Sequence, residues 1–121
     1  MKRSLYNAWL KELETAPKTK HTLKNQQGMC CLGVLCSIIP EVEEVSIGVY
    51  NDTYFKYKGD TKASCLPLTL ANELDIHEIG ISKIPQYRAS LSYINDNNDT
   101  FEPIIKILKE TPELYFTIEE D

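Results

Sequence analysis

The chain has 121 residues, of which 42% are hydrophobic and 26% charged, and its formal net charge is −5. This length fits one domain that buries roughly two thirds of its unfolded surface, and the composition excludes global disorder. The acidic balance argues against a protein built to hold DNA or RNA. No apolar run is long enough for a signal peptide or a membrane span, so we expect one soluble, intracellular domain, 1–121, without a membrane partner.

The first predicted element is an amphipathic helix over residues 2–14. Its apolar side chains recur at spacings of three and four residues, and Ser4 can cap its start. A polar loop rich in lysine follows, up to Gly28. We interpret this loop as a solvated connection and as a local basic exception in an acidic chain.

The middle of the chain predicts a buried helix and then a β-hairpin. Residues 29–39 are apolar on every side of a helix and end at Pro40, although a strand is the alternative. Two β-favouring runs within 45–58 flank Asn51-Asp52, a turn-forming pair, and therefore favour a hairpin. Pro67 then predicts the first turn of a short helix.

The last third of the chain predicts one further helix and a closing strand. Asp99 and Glu102 have the spacing of a capping box, which places a helix from there to about Lys109. The run ELYFTI after Pro112 is a plausible strand. Together these elements predict a single compact α+β domain with an N-terminal helix, a buried central helix, a small antiparallel sheet and a C-terminal helix.

The stretch CCLGVLC, residues 30–36, contains three of the four cysteines. A zinc site would need Cys31, Cys36, Cys65 and either His21 or His77, but this spacing is unlike that of structural zinc sites. The apolar neighbours also disfavour a reactive thiolate. We therefore expect small, buried, reduced side chains that pack beside Gly33, and no metal.

The residues give no support for catalysis. Neither histidine lies near a recognisable nucleophile motif, and the glycines are too scattered for a phosphate-binding loop. We therefore expect no cofactor, and enzyme activity stays without support.

What remains is a set of residues suited to binding a small ligand. Aromatic rings stack on bases, and arginine pairs bidentately with phosphate. We assign possible stacking to Trp9 or Tyr54 and phosphate contact to Arg3, Lys24 or Arg88. We assign recognition of a polar ligand edge to Asn95 and Asp96. Each has a plainer alternative, because Trp9 lies on the apolar helix face and Asn95-Asp96 resembles a turn or cap.

The order of these blocks resembles a family of small, mostly uncharacterised proteins encoded in tailed-phage genomes and prophages. The blocks are YNAWLKEL, GMCCLGVLC, CLPLTLANEL and YINDNNDTFEPIIKIL, which together cover most of the chain. In the family an LND segment precedes a helix that starts at Ser/Thr-Phe, and here that segment reads Ile94-Asn95-Asp96. Residues 40–62 match least well.

The resemblance implies a phage accessory protein that acts in the cytoplasm of an infected bacterium. Small non-enzymatic phage proteins commonly counter host defence, and one way is to sequester a nucleotide immune signal, which is an argument by association. We therefore expect a homo-oligomer that holds a cyclic ADP-ribose derivative or a cyclic dinucleotide, with its pocket between subunits. The alternative is an inhibitor that binds a host defence protein through its acidic surface and the tail IEED. A further alternative is a zinc-dependent structural module.

Overall fold

The computed structural model describes residues 1–47, 52–83 and 89–121. Within them lie five helices, α1 (Arg3–Leu13), α2 (Cys31–Ser37), α3 (Leu68–Leu74), α4 (Leu91–Asp96) and α5 (Glu102–Glu110), and a 3₁₀ turn at Pro112–Leu114. The strands are β1 (Lys24–Asn25), β2 (Gly28–Met29), β3 (Glu43–Ile47), β4 (Asp52–Tyr57) and β5 (Asp60–Lys62). The predicted α+β class is confirmed.

The predicted hairpin is present and gains a third strand. Strands β3, β4 and β5 form one antiparallel sheet in that order, with Val45 opposite Tyr54. The alternation of a strand places Thr53, Phe55 and Tyr57 on the buried face of β4. The residues of the expected Asn51-Asp52 turn fall partly in 48–51, outside the described residues. Strand β5 was missed because it has only three residues and follows directly after the turn at Lys58-Gly59.

The core forms where α1 and α2 pack against each other and against the C-terminal segment. Trp9 and Phe116 are fully buried, and their ring centroids lie 6.1 Å apart. Helix α2 is buried along Cys31–Cys36, as its all-apolar pattern predicts. The largest fully buried side chains are Trp9, Leu23, Leu32, Leu35, Phe55, Leu66, Leu70, Leu91, Ile104, Leu108, Tyr115 and Phe116.

Gly33 lets the chain before α2 pack directly on this helix. A Cβ atom at position 33 would lie 1.9 Å from the carbonyl oxygen of Leu23. That same oxygen accepts a hydrogen bond from the Cys30 N–H at 3.0 Å. The close approach therefore seats Leu23 in the core and leaves no room for any larger residue at position 33.

The predicted closing strand is mostly absent. After the 3₁₀ turn, the chain runs without regular structure to a single bridge between Lys2 and Glu119. The predicted cap is also different, because the Ser4 hydroxyl bonds the Asp121 carboxylate while Lys2 occupies the cap position of α1. Apolar residues at 114–116 thus serve packing and not sheet pairing.

Among the described residues, no helix has the length and apolar character to cross a membrane.

Candidate functional site

Two of the predicted ligand-binding residues meet at the first residue of α2. The Trp9 indole N–H donates to the Cys31 carbonyl oxygen at 2.9 Å, and the Asn95 side-chain oxygen accepts from the Cys31 N–H at 3.0 Å. Both side chains are completely buried. Trp9 is therefore a core residue, which was the plainer alternative, and neither side chain presents a surface to a ligand.

Asn95 and Asp96 fasten the basic loop before β1 to helix α4. The Asn95 amide donates to the Thr19 carbonyl oxygen at 3.0 Å, and Asp96 accepts from the backbone N–H of His21 at 2.9 Å. Lys18 adds two bonds from its ammonium, to the carbonyl oxygens of Asn95 and Asn98. Burial lowers the pKa of Lys18. The basic loop is thus a tied structural segment and not merely a solvated connection.

Arg3 and Lys24, which the sequence suggested as phosphate contacts, each form an ion pair with a carboxylate. Arg3 pairs with Glu120 at 2.8 Å, and Lys24 pairs with Glu44 at 2.9 Å. A phosphate would have to displace these carboxylates. The ion pair of Arg3 also engages the C-terminal tail, where Glu119 pairs with Lys2, so the tail is not presented freely to a basic partner.

Tyr54 does not join the other predicted residues, and Arg88 is not among the residues that the structure describes. Tyr54 lies half-buried on β4, beside Val45 and on the face opposite Phe55. Arg88 belongs to 84–88, outside the described residues. The structure therefore brings together Trp9, Asn95 and Asp96 as a structural network, and leaves Arg3, Lys24 and Tyr54 in separate surroundings.

The cysteines do not assemble into a metal site. Cys30, Cys31 and Cys36 are buried, and Cys65 is half-buried beside Glu78. Burial raises the pKa of Cys30 to about 11 and also raises the pKa of Cys31 and Cys36. In the described part of the chain, no group of three histidine, cysteine, aspartate or glutamate residues could hold a metal ion. The zinc set proposed from the sequence is thus not brought together.

A surface cavity of about 340 Å³ lies beside the C-terminal end of α3, and we call it the Lys83 cavity. This volume falls at the lower end of the range of small-molecule sites. Ile76 and Ala71 form part of its apolar wall, and Ile81 is an exposed aliphatic side chain at its side. The lining residues are Ala71, Asn72, Asp75, Ile76, His77, Ile81, Ser82, Lys83 and Tyr115.

The backbone that follows α3 positions the charged groups of this cavity. Asp75 ends the helix in the left-handed conformation, at φ 59° and ψ 41°. Its carboxylate accepts hydrogen bonds from the Lys83 ammonium at 2.6 Å and from the Thr117 N–H at 3.0 Å. The bond from Lys83 is the main cause that lowers the pKa of Asp75.

His77 supplies a second polar group to the cavity. Its Nδ1 atom accepts a hydrogen bond from the Ile79 N–H at 3.2 Å. A neutral imidazole that accepts at one nitrogen carries its hydrogen on the other, so Nε2 is a donor. The turn that holds His77 ends at Gly80, whose φ is +73° and where a Cβ atom would meet the Leu91 side chain at 2.6 Å.

The lining residues of this cavity differ in formal charge from those of two other hollows. The Lys83 cavity has one lysine and one histidine against one carboxylate. A hollow of about 420 Å³ has Glu14, Asp99 and Glu102 against Lys18, and one of about 440 Å³ has Glu41 and Glu73 against Lys58. With His77 neutral, the formal charge of the Lys83 cavity is zero, so it is the least negative of the three and repels an anionic ligand least.

None of the six predicted site residues that the structure describes lines the Lys83 cavity. The sequence signal for this site was weak, because Asp75, His77 and Lys83 lie in a segment without helical or strand periodicity. Comparison with protein-family models, with curated proteins and with solved structures found no match for this chain.

Proposed function

We propose that this protein binds a nucleotide-derived signalling molecule and holds it without turning it over. The observation that carries the proposal is the Lys83 cavity, which combines an aliphatic wall with cationic and hydrogen-bonding groups. Its volume of about 340 Å³ suits a nucleotide-sized portion of a ligand. This site replaces the scattered residues that the sequence suggested.

The chemistry of the lining supports a ligand with an anionic group and a flat apolar part. The Lys83 ammonium is the phosphate contact, because it lies at the surface and gives one of its three donors to the Asp75 carboxylate, which leaves the others for a phosphate. Arg3 and Lys24 each give two hydrogen bonds to their carboxylates. His77 donates from Nε2, because its Nδ1 already accepts from the Ile79 N–H. The exposed side of Ile81 offers an apolar surface for a base, and Asn72 can both donate to and accept from its edge.

The biological role is a proposal that rests on the resemblance. A phage accessory protein with such a cavity would lower the free concentration of an immune signal in the infected bacterium. The cavity is open at the surface, so a second copy of the chain that covers it would complete a deep pocket, which supports a homo-oligomer.

The test uses cyclic ADP-ribose and cyclic GMP-AMP as probes of the purified protein. We expect one of them to raise the melting temperature, and we expect the same compound to be recovered unchanged after heat release. Stabilisation follows because a ligand that binds only the folded state shifts the unfolding equilibrium. Light scattering with and without the probe measures the oligomeric state.

Variants locate the binding site. Combining Lys83→Ala with His77→Ala is expected to reduce the affinity for the probe at least tenfold. Lys109→Ala, on the exposed side of α5, is the matched control and should leave the affinity unchanged. Absence of stabilisation by either probe contradicts the proposal, and so does binding that survives both cavity variants. Recovery of a chemically altered probe would instead identify an enzyme.

A further inference from the structure

A second concave surface has a different chemistry from the Lys83 cavity. It lies where the first turns of α1, the end of α2, the end of β4 and helix α3 meet, and its volume is about 440 Å³. We call it the apolar groove. Its lining residues are Leu5, Ile38, Ile39, Pro40, Glu41, Tyr57, Lys58, Leu70, Glu73 and Leu74.

The floor and walls of the apolar groove are aliphatic. Leu5, Ile38, Ile39 and Leu74 are only partly buried, although they pack against the core. These four side chains therefore leave apolar surface in contact with water inside one hollow. They can therefore contact apolar side chains of a partner that enters the hollow.

The rim of the apolar groove is acidic. Glu73 accepts hydrogen bonds from both Tyr57 and Lys58, so the one lysine at the rim is already neutralised. Glu41 is exposed and adds an unbalanced negative charge. The rim thus repels phosphate and attracts a basic group, and the net charge of −5 on the chain acts in the same direction.

We propose that the apolar groove docks a segment of a partner protein that carries two or three apolar side chains flanked by lysine or arginine. An aliphatic cavity of about 150 Å³ is enough to hold one benzene-sized group. The volume of the apolar groove is on the order of three such groups. This matches the apolar anchors that one face of an amphipathic helix presents at spacings of three and four residues.

The probe is a synthetic helical peptide with leucines at that spacing and lysines at the flanking positions. We expect it to bind the 121-residue protein, with NMR shift changes centred on Leu5, Ile39 and Leu74. Two control peptides replace the lysines by glutamate or the leucines by alanine, and both should bind at least tenfold more weakly. Equal binding of either control, or shift changes centred elsewhere, would overturn the proposal.

Protein variants separate the contribution of the acidic rim to peptide binding from that of the apolar lining. Glu41→Gln should weaken binding of the lysine peptide about twofold to fivefold, as expected for an exposed charge. Leu74→Ala should weaken it more, whereas Leu68→Ala, an exposed leucine of the same helix outside the groove, should leave it unchanged. If Leu74→Ala fails to fold, Glu41→Gln and the two control peptides still test whether the apolar groove binds the peptide. Because neither Glu41 nor Leu74 lines the Lys83 cavity, nucleotide binding should be unaffected in Glu41→Gln and Leu74→Ala.

Discussion

The Asn95 side chain is bonded to the backbone N–H of Cys31 across 64 residues of sequence. The donor belongs to the first turn of α2, where N–H groups lack partners within the helix. The same asparagine binds the Thr19 carbonyl oxygen with its amide. One buried residue thus joins α4, α2 and the basic loop, so the Asn-Asp pair and the CCLGVLC block belong to one hydrogen-bonded network.

We predict that Asn95→Ala destabilises the fold by about 2–4 kcal/mol, because two buried backbone groups lose their partners. Urea unfolding should show a lower midpoint with an unchanged slope. Tyr93→Ala is the matched control, since Tyr93 lies on the same helix and is 62% exposed. A loss below about 1 kcal/mol would contradict the assigned role of Asn95.

Gly33→Ala should prevent stable folding or cost at least about 3 kcal/mol, because the added methyl group meets the rigid backbone of Leu23. Gly59→Ala is the control for loss of a glycine. A Cβ atom there meets nothing within 4 Å, although φ is +93°, so only the conformational strain applies. Thermal melting compares the two, and equal losses would mean that the contact with Leu23 relaxes easily.

The thiols should differ in reactivity in the native protein. Burial raises the pKa of both Cys65 and Cys30, the latter to about 11, but Cys65 is only half-buried whereas Cys30 is removed from solvent. We expect a thiol reagent at pH 8 to modify Cys65 first and to reach Cys30, Cys31 and Cys36 only after denaturation. Mass spectrometry of the modified peptides measures this order. Early modification of Cys31 would show that the helix opens readily.

The Asp75–Lys83 pair should contribute stability in a defined pH range. The pKa of Asp75 is lowered in the folded state, so its contribution is present above about pH 4 and is lost as pH falls through the lowered value. Asp75→Asn should therefore be less stable than the unaltered protein at neutral pH. The difference in urea midpoint should shrink as the pH falls below about 4. A difference that stays constant with pH would show that the charge of Asp75 contributes nothing.

The sequence predicted the elements with a strong periodic pattern, and it was wrong about the segment after Pro112, whose contacts are distant in the sequence. The apolar spacing of Leu5, Trp9 and Leu13 was sufficient to identify α1. The segment after Pro112 has the composition of a strand, but its apolar side chains fill the core beside Trp9 instead. Local propensity cannot distinguish these outcomes, because the choice depends on which surface the segment meets.

The same distinction applies to the candidate sites. Composition and spacing by themselves determined an acidic α+β domain with a buried cysteine-rich helix, since those properties depend on residue type and on periodicity along the chain. Only the tertiary structure decided that Trp9 and Asn95 support α2, that Arg3 and Lys24 are ion-paired, and that Lys83, paired with Asp75, lines a cavity. Burial, pairing and the formation of a cavity depend on groups far apart in the sequence, and these meet only when the chain has folded.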